Sequence, residues 1–365
     1  MKVAIVVTTI NDPVFLKEYA DIDVGGHDVV IIVVGDNKSP NLSRVTQYAS
    51  NMEVWKPQAQ DDWLSTNYPA ISMKELRTVI PENSPQRRNF GYLRAMELGA
   101  DVTIVVDDDN VPITDHWLID HLDVLGGHIR LYEARSNNGY VNPCSILRGI
   151  SDGVYARGYP ISKMFSINLF SQLFPIVPPV LNAGLWVESP DVDAFTHMMY
   201  PNLRAKSAFV PVFLGENQYA PINTQNTSLK RKLFSVFHNV HMQPHDPVLP
   251  LDRYDDIWNG LFVLRLIHAM GDVASFGVPL TVHRRNPHDV VADFRKEWFG
   301  AIINCKLWDY IRNVPIESKT YRDGFVELAD AVRKCDVFEW QPVKDYLSDL
   351  ADSMLTWLKL TEKWV

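Results

Sequence analysis

The chain has 365 residues, 46% of them hydrophobic, and a formal net charge of −9. That is enough apolar material for one large α/β core or two modest ones, and the wrong sign for a phosphate-backbone partner, so nucleic acid is excluded. Cys144, Cys305 and Cys335 are odd in number and widely spaced, which argues against a disulfide framework or a zinc knuckle and for a reducing, cytoplasmic setting.

The N-terminal run MKVAIVVTTIND has no small-residue cleavage site and reads as a strand, not a signal peptide. Continuous apolar runs at Val3–Val7, Val29–Val34 and Val102–Val106 are the pattern of strands buried on both faces. Between the last two, Ser84 is placed as an N-cap with Pro85 at the first helical position. Phe90, Leu93 and Met96 then share a face, and Gly99 stops the helix. This βαβ order implies a mostly parallel sheet with its groove at the carboxyl ends of the strands. Further along, Leu181–Val187 and Phe209–Leu214 read as strands, and 175–179 as a proline-rich connector. A helix follows Asp255-Asp256, running through Trp258, Leu261, Phe262 and Ile267 to Gly271, and a short strand spans Pro279–His283. From Pro342 the tail is amphipathic, with Val343, Leu347, Leu350, Met354 and Leu358 at helical spacing. That stripe suits packing or self-association into a homo-oligomer. No apolar run reaches the roughly 20 residues of a membrane helix.

The sharpest local signal is VTIVVDDDN. Three adjacent carboxylates at the end of a buried strand repel one another unless a cation neutralises them. Magnesium or manganese takes one or two carboxylates together with diphosphate oxygens. An acidic surface turn is the alternative reading. Arg87-Arg88-Asn89-x-Gly91 lies on the preceding helix, and arginine suits bidentate phosphate recognition. Gly91 inside that helix costs up to ~1 kcal/mol against alanine. Either a close ligand approach or tight helix-to-sheet packing would explain it. The basic runs 230–232 and Arg284-Arg285 could grip a diphosphate or simply lie on the surface.

With these residues in place, the chain resembles the sugar-nucleotide glycosyltransferases of the A-type fold, where an Arg-Asn-x-Gly helix precedes a metal-binding acidic strand. The resemblance implies an α/β, Rossmann-like mixed sheet flanked by helices over residues 1–305, with a C-terminal helical extension over 306–365. Residues 1–115 would form the nucleotide half and 150–300 the sugar and acceptor half. It implies nucleotide-sugar contacts from Thr8, Thr9, Asn11, Asp36, Arg88, Asp107 and Asp108, and from Gly184 and Trp186 in a glycine loop. Asp107, Asp109 and His283 would hold Mn2+ or Mg2+, and Asp255 and Asp256 would be catalytic. More narrowly, the chain resembles the reversibly glycosylated polypeptides, the UDP-arabinopyranose mutase family. The matching segments include Phe90–Asp109, Ala156-Arg157-Gly158-Tyr159-Pro160, Gly184–Asp193, Arg253–Gly260 and His283–Gly300 with its Asn286-Pro287. In that family the arginine matching Arg157 is associated with reversible attachment of the sugar. Two departures stand out. Met164 occupies the place of a second arginine, and Asn223-Thr224-Gln225-Asn226 replaces a Cys-Gly-Met-Asn stretch.

These departures rank metal-dependent transfer from a UDP-sugar to a separate acceptor ahead of pyranose/furanose mutase chemistry with self-glycosylation. A non-catalytic nucleotide-sugar binder ranks below both, because Asp255 and Asp256 are present. A dinucleotide oxidoreductase ranks lower still, since no G-x-G-x-x-G follows the first strand. Asp255 and Asp256 open a helix, whose dipole is expected to keep them ionised and so better bases than acids.

Overall fold

The computed structural model describes residues 1–364 other than Asn41, Leu173, Phe174, Ile176 and 286–288; of Ser43 and Arg44 only the backbone is described. The expected Asn286-Pro287 segment and part of the 175–179 connector therefore lie outside the described residues.

The apolar runs form strands as their patterning requires. β1 (Lys2–Thr9), β2 (Asp28–Gly35), β3 (Met52–Trp55) and β4 (Val102–Asp107) are joined by β5 (Asn110–Pro112), β6 (Tyr132–Ser136) and β7 (Asn168–Ser171). β8 (Leu181–Glu188), β9 (Val212–Leu214), β10 (Asn226–Lys230) and β11 (Ala274–His283) complete one sheet. Its order is β3-β2-β1-β4-β10-β8-β11-β9-β6-β7, with β5 paired to β11. The first four strands are parallel. β10 runs antiparallel to both β4 and β8, and β8 and β11 are parallel to each other. The sheet is thus mixed and flanked by helices, the α/β class expected. Because β10 runs opposite to both its neighbours, its N-terminal end lies beside the carboxyl end of β4, where Asn226 pairs with Val106. Val3 to Val7 are fully buried, as a strand covered on both faces must be.

Two elements differ from the pattern-based expectation. The segment 209–214 splits, because Pro211 has no N–H for a ladder; only Val212–Leu214 joins the sheet, and Ser207–Ala208 pairs with Leu147–Arg148. The expected strand at Pro279–His283 is the second half of the ten-residue β11, which bulges between Gly277 and Leu280.

Ser84 caps a 3-10 turn at Pro85–Arg87, and the α-helix proper, α1 (Arg88–Glu97), starts at the residue that matters for the site. It is followed by α2 (Trp117–Gly126), α3 (Asp255–Ala269), α4 (Val290–Arg312), α5 (Tyr321–Arg333) and α6 (Gln341–Thr361). A boundary at 305/306 falls inside α4, and the main core takes in residues from Ala4 to Leu360. The stripe Val343, Leu347, Leu350, Met354 and Leu358 is buried within this chain. Tyr68 donates to the Leu360 carbonyl at 2.7 Å, and Trp364 stacks on Trp63. The tail is therefore spent on intramolecular packing, which removes the sequence argument for self-association through it. Among the described residues no helix is long and apolar enough to cross a membrane.

Candidate active site

The sheet order sets out the site. At one end of the strands a cleft of about 300 Å3 is lined by Thr8 and Thr9 from β1, Asp36 after β2, Asp107 at the end of β4 and Asp108 and Asp109 after it. Thr224 and Gln225, which lead into β10, Asp191 after β8 and His283 at the end of β11 continue the wall. Arg88 from α1, Asp255 and Asp256 from α3 and the loop residue Arg157 close it.

The aspartates do not act as one group. Asp107 is ion-paired with Arg88, whose guanidinium also donates to Thr8 Oγ1 at 3.1 Å and to Thr224 Oγ1. Asp108 accepts from Thr9 Oγ1 at 2.7 Å and from Asn11 Nδ2 at 2.9 Å through one oxygen. Asp109 faces His283 Nε2 at 3.2 Å and accepts from Asn110 Nδ2 at 3.0 Å. Burial pushes the Asp107 carboxyl up to about 6; Arg88 opposes this, while Asp109, Asp256 and Asp108 add to it. The cluster carries more negative charge than its own cations neutralise.

Carboxylate oxygens with an imidazole nitrogen are a suitable donor set for a divalent cation. His283 Nδ1 lies 2.6 Å from the Ser189 carbonyl and donates to it, which leaves Nε2 as the ligating nitrogen once its proton is lost. Among the described residues no three His, Cys, Asp or Glu side chains are arranged as a ready metal shell. Asp109 and His283 are the pair whose donor atoms lie nearest each other, hydrogen-bonded at 3.2 Å. Asp107 is turned to Arg88 instead.

A second charged system lies opposite. Arg157 Nε donates to both oxygens of Asp191, at 2.9 and 3.2 Å. Its two terminal nitrogens grip Asp256 at 3.1 and 2.8 Å, and one also donates to the Arg253 carbonyl at 2.5 Å. Burial disfavours the charge on Arg157, but Asp191 and Asp256 hold its pKa well above the ordinary value. Arg157 is thus a clamp between two carboxylates and has no free nitrogen lone pair for attack. Asp255 accepts from Asn239 Nδ2 at 2.7 Å, and burial, followed by the charge of Asp256, pushes it up to about 7. For Asp255 this runs against the expectation drawn from the helix dipole, because desolvation outweighs the dipole there.

Gly184 and Trp186 do not line the cleft. Both are buried in β8, where a Cβ on Gly184 would collide with the Asn226 side chain and come within 2.5 Å of the Pro279 carbonyl oxygen. Gly184 is a packing glycine. Asp36 does reach the cleft, although its two oxygens accept from the backbone N–H groups of Asn37 and Ser84 at 2.7 and 3.0 Å. Sequence reasoning missed Asp191, Thr224 and Asn239. Asp191 and Thr224 lay inside segments already singled out, whereas Asn239 gave no sequence signal.

The profile of the reversibly glycosylated polypeptides matches residues 1–365. The chain belongs to that family. UDP-arabinopyranose mutase 1 of Arabidopsis thaliana is 25% identical over 210 residues, 56% of this chain and 54% of the relative. Probable UDP-arabinopyranose mutase 4 of the same plant is 24% identical over 71% of this chain and 66% of its own. The chain thus aligns with between about half and two thirds of the length of these relatives. Glucosyl-3-phosphoglycerate synthase of Mycobacterium tuberculosis, solved with Mn2+, UDP-glucose and phosphoglyceric acid, is 12% identical with a TM-score of 0.42, over 84% of this chain and 80% of that one.

Proposed function

We propose that the chain is a metal-dependent UDP-sugar mutase, which breaks and re-forms the bond between the anomeric carbon and the diphosphate and exchanges pyranose and furanose rings. The observation that carries this reading is the convergence of the Arg88–Asp107 clamp, the Asp109–His283 pair and Asp255 on one cleft, in a chain matched end to end by the family. Transfer to a separate acceptor ranked first on sequence because of Met164 and residues 223–226. Met164, however, packs against the main core and is not among the cleft-lining residues. The 223–226 stretch keeps polar bonds at the site, through Thr224 to Arg88 and from Asn223 Nδ2 to Asp191 at 2.6 Å. Neither departure removes the machinery a mutase needs.

The residues have separable tasks. A bound Mn2+ or Mg2+, held by Asp109 and His283, would supply positive charge for the diphosphate. Arg88 balances charge as UDP departs with the bonding electron pair of the C1–O bond. Exchange of ring size moves one proton, from the hydroxyl that closes the new ring to the oxygen that leaves the old one, before UDP returns to C1. Asp255, with its pKa near 7, can take the first proton and deliver the second. Arg157 holds Asp256 and Asp191 in fixed positions around the sugar. The three unpaired cysteines support a reducing, cytoplasmic setting.

The test is incubation with UDP-arabinopyranose and Mn2+, followed by anion-exchange chromatography. UDP-arabinofuranose is the expected product. Release of UDP only when a sugar acceptor is added, with no furanose formed, would overturn the reading in favour of transfer.

A further inference from the structure

The turn 223–226 is pinned by its neighbours. Asn223 Nδ2 donates to Asp191 and its Oδ1 accepts from the Gln225 N–H at 3.2 Å. The Gln225 carbonyl receives the N–H of Asp107 at 3.4 Å, and the adjacent Thr224 Oγ1 accepts from Arg88. Within this bonded frame one group is left over: Gln225 Oε1 is buried and has no hydrogen-bond partner, although the residue lines the cleft. A buried acceptor left unpaired carries a desolvation cost that a donor arriving with a ligand removes. Its terminal torsion is soft, so the oxygen turns to a donor without disturbing the frame.

On the UDP-sugar reading, strand order says which part of the ligand would supply that donor. Asp36 follows β2, Thr9 ends β1, Asp107 ends β4 and Gln225 precedes β10, with Asp191 and His283 beyond. A nucleotide with its nucleoside over β2 and β1 and its diphosphate at Asp107 extends its sugar toward β10 and β8. The donors available there are sugar hydroxyls.

Resting on the UDP-sugar reading above, we propose that Gln225 selects the sugar, its Oε1 accepting a hydrogen bond from one hydroxyl of the donor. Calorimetric titration with UDP, UDP-arabinopyranose and the 2-, 3- and 4-deoxy analogues of that sugar nucleotide tests this in the native protein and in Gln225→Met, a swap of similar volume. Native protein is expected to bind one deoxy analogue about tenfold more weakly than the parent, a difference of about 1.4 kcal/mol. Gln225→Met should bind the parent and that analogue equally, and bind UDP within about twofold of native. A thermal melt within a few degrees of native keeps the comparison valid, and Gln225→Leu is the substitute if the methionine variant does not fold. Native protein that binds UDP-arabinopyranose but ranks the analogues as the variant does would overturn the role of Gln225 alone. Failure of native protein to bind any of the sugar nucleotides would overturn it together with the UDP-sugar reading.

Discussion

Arg157 joins Asp191 to Asp256 across the cleft, donating through Nε to one carboxylate and through both terminal nitrogens to the other. All three side chains are buried. Removing one partner of such a system leaves an uncompensated charge and costs about 3–5 kcal/mol. Arg157→Ala is expected to lose that much stability in a denaturant melt. Arg157→Lys keeps the charge but not the fork, so turnover should fall about 100-fold while UDP affinity stays within about threefold of native, as separate kinetic and calorimetric measurements will show.

Asp255 gives a signature in pH. Turnover should change with an apparent pKa near 7, and Asp255→Asn should abolish that ionisation and lower kcat by about 100-fold or more. Stability checks the same shift independently. An acid whose folded pKa is raised contributes fully below its unfolded value, about 3.9, and loses that contribution as pH rises through 7. The asparagine variant should therefore gain stability relative to native as pH goes from 5 to 8. An unchanged difference in Tm across that range would show that Asp255 is already ionised.

The metal prediction turns on Asp109 and His283. Manganese should tighten UDP binding at least ~10-fold over EDTA, and Asp109→Ala should erase the difference. Burial works against the charge on His283, but Asp109 raises its pKa above the ordinary value, so the ion must displace a proton from Nε2. Titrations in buffers of different ionisation enthalpy should show proton release, and the ion should bind more tightly at pH 8 than at pH 6.

Base selection follows from Thr8, Thr9, Asn11 and Asp36 at the ends of β1 and β2. Uridine nucleotides should bind at least ~10-fold more tightly than guanosine nucleotides, about 1.4 kcal/mol. A competition assay that showed a guanosine preference would leave only the diphosphate site standing.

Gly91 tests packing. A Cβ there would collide with Val6 Cγ1 and lie 3.1 Å from Val34 Cγ2. Gly91→Ala gains helix propensity of about 1 kcal/mol yet overpacks a helix-to-sheet contact at a cost of about 1–3 kcal/mol. The expected outcome is a lower Tm with unchanged affinity for UDP.

Much of the fold was legible because the information is local. Five consecutive apolar residues at Val3–Val7 demand burial on both faces, and Ser84 followed by Pro85 starts a helical turn wherever it stands. The acidic strand end was legible as a local pattern, and the resemblance to the A-type glycosyltransferases pointed to Asp255-Asp256 and His283, which line the same cleft. Tertiary structure decided which charges meet and what each becomes. Arg157 is 34 residues from Asp191 and 99 from Asp256, and only the sheet order brings them within hydrogen-bond reach. Asp255 and Asp256 are neighbours on one helix, yet burial drives Asp255 toward its neutral form, a property of the surrounding atoms that no spacing encodes. Likewise Gly91 and Gly184 announced close approaches without saying to what, and the stripe on α6 announced a partner without saying that the partner was the chain itself. Periodicity fixes which face of an element is buried; the contents of the space it faces are fixed by segments far away in sequence.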